Sequence, residues 1–465
     1  MAEQQSKRRK GIEFRAATWM VRHPGWLALP TGLPTSAALF GVDTTAGVGG
    51  VALAAGAAVC TGWYRGHPDS FDRFAAPVLR AWRRRWWTYM GWRWRNAVED
   101  CGLTTENRRT GEVRRPRILR VRSWTPTTDV ITVKMVPGQA VSTWEQQLPV
   151  LTEALKAVRL GVAKVKPRVI NLVIQRSEPF TEVIPAPEMP GDVREVDLDR
   201  VYVGETEYGT DLTVSLTGDH VFIAGATGAG KNSIPASMLR GIAPLVRDGV
   251  VRLWIADPKQ LEFSALAPVA YKYATSTETD VEDGAYTIAD LIKEFRKEME
   301  AKQAAMSAAG LRSITPSRET PLDLLILDEL GAITAYGDIM RLVRRDLAVI
   351  ATQGRATLSR MWGLVQEPTK DTVPIRDLFT FKVCLRVTAS GQVDMVLGDN
   401  ARARGALADE IPNIPAETAG IGFVMDQRTR VPIRVRAAYV TDAELAEFVR
   451  FVSPGHPGAS LKVVA

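Results

Sequence analysis

Apolar positions change their period several times along this chain, and each change marks a new element. Between Arg22 and Arg65 the only full charge is Asp43. Two apolar runs flank it. The first, Trp26 to Gly41, is short and holds Pro30 and Pro34; the second, Thr44 to Tyr64, is uncharged. A run of roughly 20 apolar residues is long enough to span a bilayer. The pattern predicts a transmembrane helical hairpin over 25–64, turning near Asp43, with basic flanks that keep both ends cytoplasmic. Gly47, Gly50, Ala54 and Ala58 supply small residues for close helix approach. A buried helical pair in a soluble domain is the other reading of the same pattern. The basic start, Ser6 to Lys10, is followed by an apolar run only near Gly25, and no small-residue cleavage site comes promptly after it, so a secretory signal is not expected.

Further on, β-branched content predicts strands at Ile118 to Val121, Asp129 to Val136 and Arg168 to Gln175. Val141, Trp144, Leu148, Leu151, Leu155 and Val158 recur at helical spacing, with Pro149 expected to kink or split that helix. These elements form a small α/β domain over 118–195, closed by the Pro-rich stretch Pro179 to Pro190. From 196 to 450 strands and helices alternate, which predicts a largely parallel sheet covered by helices. Within it a short apolar strand, Val221 to Ala224, runs straight into a glycine-rich loop and a helix from about Asn232. One short helix, Asp442 to Phe451, ends this region. The last residues, 451–465, read as a mobile tail. There is no internal repeat and no coiled-coil heptad.

Charge sharpens the picture of the N-terminal part. Net charge is +7, yet residues 1–117 hold about 19 Lys/Arg against about 9 Asp/Glu, so the excess lies there. An anionic partner is implied, a lipid surface or nucleic acid. Residues 1–24 form a basic cytoplasmic N-terminus. In 65–117 five of the twelve tryptophans fall between Trp82 and Trp94, interleaved with arginines. Indole rings favour the headgroup zone and guanidinium groups favour anionic lipid, so a basic juxtamembrane helix against the membrane surface is the leading reading. A nucleic-acid stacking platform and packing against the rest of the protein are the alternatives. Residues 101–117 read as a linker. Cys60, Cys101 and Cys384 form no CxxC pair and have too few histidines nearby for zinc; they read as reduced and structural.

The chemistry sits in the alternating region. Gly225-Ala226-Thr227-Gly228-Ala229-Gly230-Lys231 has the strand–loop–helix context of a phosphate-binding loop. Its glycines let backbone N–H groups surround phosphates, the helix N-terminus adds favourable dipole, and Lys231 reaches the β and γ oxygens. The pattern wants Ser or Thr next, as a magnesium ligand; Asn232 stands there, followed by Ser233. Either the Asn232 amide oxygen contacts the ion, or a water does, or Ser233 substitutes. Slower hydrolysis is one consequence. Leu322 to Leu327 is an apolar strand ending in Asp328 and Glu329: Asp328 is assigned to the metal and Glu329 to orienting the attacking water. Gln366, at the end of another apolar strand, is placed to contact the γ-phosphate. Val251 to Ala256 is a further strand ending in Asp257-Pro258-Lys259 and Glu262. ATP and Mg2+ are the cofactors these residues call for.

Together they resemble the FtsK/SpoIIIE DNA translocases, including the conjugation proteins of actinobacterial mobile elements. The resemblance rests on His220 to Lys231, Asp257-Pro-Lys-Gln-Leu-Glu262, Leu325-Ile-Leu-Asp-Glu329, Gln353-Gly-Arg-Ala356 and Gln366-Glu-Pro-Thr-Lys-Asp371. It covers about 200–440, and Asp-Pro-Lys…Glu is its most discriminating part. What the resemblance implies is a homo-hexameric ring of RecA-like P-loop NTPase domains with double-stranded DNA in the pore. ATP lies between subunits, and an arginine of one subunit completes the site of the next. Arg376 is the candidate for that finger, with Arg355 second. The expected protein is a multi-pass cell-membrane ATPase with a cytoplasmic motor that pumps DNA, for conjugative transfer of a plasmid or integrative element. Alternatives are a chromosome-segregation pump, a secretion ATPase that moves protein, and a nucleotide-gated coupling scaffold with weak hydrolysis.

Overall fold

In the computed structural model the described residues are 42–107, 110–277, 286–335, 339–369 and 375–453. The chain divides into two compact units, residues 1–79 and 80–465.

In the first unit, α1 (Val42–Gly66) is an uninterrupted helix. Among the described residues it is the one helix long and apolar enough to cross a membrane, over Gly47–Gly66, with mean hydropathy 1.3. The expected hairpin is therefore met only in its second half. Its first run, Trp26 to Gly41, falls outside the described residues apart from the question of the turn: Asp43, expected there, lies inside the first turn of α1. After Gly66 comes α2 (Pro68–Phe74), opened by its proline. Trp63 and Tyr64 set their rings edge-on to Phe71, at 5.8 and 5.5 Å.

The helices α3 (Ala76–Trp87) and α4 (Trp92–Asp100) carry the Trp/Arg segment. Trp94, Ala97 and Val98, with Tyr89, Cys101 and Leu103, are buried and join the core of the small sheet. Spacing of three and four residues puts Trp94, Ala97 and Val98 on one face of α4. Trp94 donates its indole N–H to the Pro116 carbonyl at 2.9 Å. Lipid contact therefore does not describe the whole segment; packing against the protein takes this face, while Trp82, Trp86, Trp87 and Trp92 remain exposed. The stretch read as a linker contains a small antiparallel pair, β1 (Thr105–Glu106) with β2 (Val113–Arg114).

The small sheet comprises β3 (Arg117–Ser123), β4 (Thr128–Lys134), α5 (Val141–Ala154), β5 (Arg159–Lys166) and β6 (Val169–Gln175), with antiparallel strand order β3-β4-β6-β5. Two expectations change here. The helix stays a single segment through Pro149, because Trp144, Leu148 and Leu151 are buried around it. It also ends at Ala154 rather than running to Val158: Lys156 takes φ +52, and the Val158 N–H bonds to the Gln175 carbonyl at 2.8 Å, starting the β5–β6 hairpin.

The large sheet follows in chain order: β7 (Val201–Thr206), β8 (Asp211–Val214), β9 (Val221–Ala224), α6 (Ser233–Gly241), α7 (Ala243–Arg247), β10 (Val251–Ala256), β11 (Lys272–Ala274), α8 (Ile288–Ala308), β12 (Leu322–Leu327), α9 (Leu330–Ala335), α10 (Ile339–Gln353), β13 (Ser359–Val365), β14 (Phe381–Leu385), α11 (Ser390–Leu397), α12 (Pro415–Thr418), β15 (Ile421–Met425), β16 (Pro432–Ala437) and α13 (Asp442–Val452). Strand order is β11-β10-β12-β13-β9-β14-β15-β16-β7-β8. The run from β11 to β14 is parallel, and β15, β16, β7 and β8 extend it antiparallel. This is a mixed α/β fold with a large, mainly parallel sheet. Strands β9, β12 and β13 are buried along their whole length, as continuous apolar runs between two helical layers require.

Candidate functional site: a phosphate-binding loop at the ends of parallel strands

Register brings the chemistry to one edge. Ala224 of β9 pairs with Val365 of β13 and Cys384 of β14, and Ala256 of β10 pairs with Leu327 of β12. The next residues, Gly225, Gln366, Leu385, Asp257 and Asp328, thus emerge at the carboxyl ends of neighbouring strands. Open α/β sheets place their ligand sites there.

The loop is tightly held. Gly225 N–H bonds to Val365 O at 3.0 Å, Ala226 N–H to Arg386 O at 2.8 Å, and Gly420 N–H to Ala229 O at 2.9 Å. Gly228 and Gly230 take φ +75 and +82, and a Cβ on Gly230 would lie 2.6 Å from the Gly420 nitrogen. A side chain at Gly230 is therefore excluded twice over. Lys231 Nζ donates to Gly225 O at 2.9 Å, holding the ammonium over the loop. Burial lowers the Lys231 pKa and nearby Lys259 adds to this, while Glu329, Asp328 and Glu262 oppose it.

Asp328 is buried, and its Oδ2 has no hydrogen-bond partner. Burial first, then Asp257, Glu329 and Glu262, push its pKa up to about 6 against the pull of Lys259. The Asn232 Oδ1 is likewise buried without a partner. Asn232 precedes α6 in helical conformation and caps nothing with its side chain. Orphaned buried oxygens are costly, and hard oxygen donors suit Mg2+. The donor chemistry of these two residues therefore fits the ion. Ser233 opens α6 and lines the cavity beside Asn232.

Glu329 sits at φ +51, a left-handed backbone that non-glycine residues rarely adopt. Its Oε2 accepts from Lys259 Nζ at 2.8 Å and its Oε1 from the Gln366 backbone N–H at 3.2 Å. The Gln366 side-chain oxygen accepts from Thr227 Oγ1 at 3.3 Å, joining the acidic strand tip to the loop. Asp257 is structural in this arrangement. It accepts from Gln260 N–H at 2.9 Å and from the Tyr273 hydroxyl at 3.0 Å, which fixes the turn that presents Lys259. A cavity of about 350 Å³ runs from Thr227, Gly228 and Lys231 past Ala236 and Leu266 to Tyr439 and Leu445.

The FtsK/SpoIIIE family model matches residues 189–379, which include the loop, the Asp-Pro-Lys turn, the paired acids and Gln366. This segment belongs to the FtsK/SpoIIIE family. The DNA translocase FtsK of Tropheryma whipplei (strain TW08/27) is 27% identical over 277 residues, covering 54% of this chain and 34% of that protein. The protein Tra of Streptomyces lividans is 23% identical over 227 residues, covering 45% of this chain and 34% of that protein. Among solved structures, the pCW3 conjugation coupling protein TcpA, in its monomer form with ATPγS, is 17% identical with a TM-score of 0.48, covering 77% of this chain and 98% of that one. The chain spans about a third to a half of the length of the first two curated relatives it matches.

Within the FtsK/SpoIIIE segment the finger candidates separate. Arg376 is 4% exposed, with Nε and Nη1 unbonded and its Nε 3.8 Å from Asp377 Oδ1. A guanidinium buried in its own chain would reach a neighbour's phosphate only after rearranging. Arg355 is exposed on the turn between α10 and β13. Three contributors escaped the sequence reading. Arg386 follows β14 and donates from Nη2 to Thr227 O at 2.6 Å, bracing the loop. Tyr439 and Leu445 line the far end of the cavity. All three lie beyond residue 379 and carry no local motif, so only the paired strands bring them in.

Proposed function

We propose that this chain is a membrane-anchored, ATP-driven translocase of double-stranded DNA that serves conjugative transfer of a mobile element. The observation that carries the reading is the convergence of Lys231, Asp328, Glu329 and Gln366 at one sheet edge, in an FtsK/SpoIIIE segment. In this reading Gly225 to Ser233 cradle the phosphates and Tyr439 and Leu445 flank the base. Lys231 takes up β/γ-phosphate charge, Glu329 orients the attacking water, and Gln366 links that water to the loop through Thr227. Asn232 Oδ1 and Asp328 would hold Mg2+, which when bound neutralises phosphate charge during transfer. The ring is a homo-hexamer, with Arg355 preferred as the residue reaching into the next site. A pump need not read bases, so phosphate contacts suffice for its grip on DNA. The anchor is α1 with the preceding apolar run. The exposed Trp82, Trp86, Trp87 and Trp92 beside Arg83, Arg93 and Arg95 lie against anionic lipid.

The test is ATP turnover by the full chain in lipid nanodiscs, with and without long duplex DNA. Strong stimulation by duplex, lost in Lys231→Ala, supports the motor. Nucleotide binding with no response to duplex sinks it and leaves the coupling scaffold.

A further inference from the structure

Glu329 has both carboxylate oxygens engaged: Oε2 by Lys259 Nζ at 2.8 Å and Oε1 by Gln366 N–H at 3.2 Å. Each oxygen keeps a lone pair, but an ammonium bonded to the carboxylate draws off its negative charge and fixes its orientation, which weakens it as a general base. The group that occupies Oε2 is built to be there. Asp257, buried and bonded to Gln260 N–H and the Tyr273 hydroxyl, fixes the turn, and Pro258 restricts the backbone just before Lys259. Gln260 at φ +52 and Glu329 at φ +51 both hold left-handed backbones on either side of the ion pair. Such strain persists where the surroundings over-determine it, and it gathers at switches. Lys259 itself is only partly covered, with its side chain 37% exposed against 12% for Glu329. Its charge acts on both Lys231 and Asp328, as does that of Glu262.

We infer that Lys259 is a latch on the water-activating carboxylate: it holds Glu329 in an unproductive ion pair and exchanges it for the γ-phosphate of a bound nucleoside triphosphate. This deepens the ATPase reading above and rests on it. A γ-phosphate seated beside Lys231 is a stronger anion than one carboxylate, and Lys259 needs only to rotate about its flexible stem to follow it. Glu329 is then freed for water at the moment the triphosphate is in place. Lys259 is thus a positioning residue, and hydrolysis waits on occupancy rather than idling.

Two measurements on the full chain in nanodiscs test it. The first is affinity for ATPγS in Glu329→Gln, by competition with a fluorescent nucleotide: with no carboxylate left to compete for Lys259, it should tighten roughly five-fold, the equivalent of about 1 kcal/mol released from the ion pair. The second is the preference for ATPγS over ADP. Lys259→Met should lower that preference about ten-fold and Lys259→Arg, which keeps the charge, should restore it. Unchanged ATPγS affinity in Glu329→Gln, or an unchanged ATPγS preference in Lys259→Met, overturns the latch. Should no variant turn over ATP with or without duplex while the preference shifts as expected, the translocase reading fails and the phosphate exchange stands.

Discussion

Two buried aspartates show how differently one chemical group is used in the two halves of this chain. Asp129, in the small sheet, is fully buried and saturated: it accepts from Arg84, from Arg176 Nε at 3.1 Å and from the Tyr89 hydroxyl at 2.6 Å. Asp328, at the tip of β12, is nearly as buried, yet its Oδ2 has no partner and its neighbours include Asp257, Glu329 and Glu262. A paired buried charge fastens structure; removing one partner is what costs. An unpaired one is a standing expense in stability that folding alone does not explain, and such groups gather where a ligand is to be met. Burial by itself would class these residues together, and their partners tell them apart.

Removing the chemistry without touching the packing gives the largest effect. Glu329→Gln keeps the shape at the strand tip and should lower duplex-stimulated turnover by about a thousand-fold, in the upper range for loss of a general base. Thermal unfolding should move by no more than about 2 °C. Asp129→Ala should do the reverse. It strands the guanidinium groups of Arg84 and Arg176, and about 3 kcal/mol of stability should be lost, read as a fall in the denaturant midpoint. If Asp129→Ala proves neutral for stability, the contrast between the two centres collapses.

The next prediction turns on pH. Asp328 has an ordinary pKa of 3.8 and a folded value of about 6. Between those values the folded chain holds the proton that the unfolded chain has released, so stability falls as pH rises through this window. Below about pH 4 the penalty is absent, and above about pH 6 it is complete. Asp328→Asn should therefore stabilise the nucleotide-free protein by about 2 kcal/mol at pH 8 and by nothing near pH 4, while lowering turnover. Unfolding midpoints of the two proteins at both pH values decide it. A gain that persists at pH 4 would assign the effect to packing.

How much of this was legible before the fold was known depends on whether a feature is local. The loop from Gly225 to Lys231 and the acids after Leu327 are local: apolar strands end, and the chemistry follows at once. Their meeting at one edge follows from parallel pairing. The small domain was harder. Helical spacing continued through Leu155 and Val158, but Lys156 at φ +52 turns the chain back, and Val158 pairs with Gln175 instead. Tertiary pairing overrode a period that the residues still carry. Trp94 shows the same limit: its neighbours in sequence read as a lipid-facing helix, and only the face shared with Ala97 and Val98 reveals a core position. The burial of Arg376 was hidden for the opposite reason, since a family-like arginine is matched by sequence while its burial depends on the elements around it. Arg386 was invisible because a single arginine after a strand has no pattern to announce it.

The smallest expected effect concerns Asn232. Its Oδ1 is orphaned like the Asp328 Oδ2, but the amide is neutral, so the stability cost of leaving it unpaired is modest. Asn232→Ser puts at this position the hydroxyl that phosphate-binding loops ordinarily carry and removes the unsatisfied amide oxygen. Turnover at saturating ATP should rise about three-fold, with the Mg2+ concentration for half-maximal rate falling by a similar factor and the unfolding midpoint nearly unchanged. Measuring both against Mg2+ separates the possible ligands. A lower rate in Asn232→Ser makes the amide oxygen a ligand that a shorter side chain cannot replace. An unchanged rate, with turnover lost instead in Ser233→Ala, moves the contact one residue along α6. The second result would leave Asp328 as the one of these two orphaned oxygens that awaits an ion, and would narrow the comparison with Asp129 to a single carboxylate on each side.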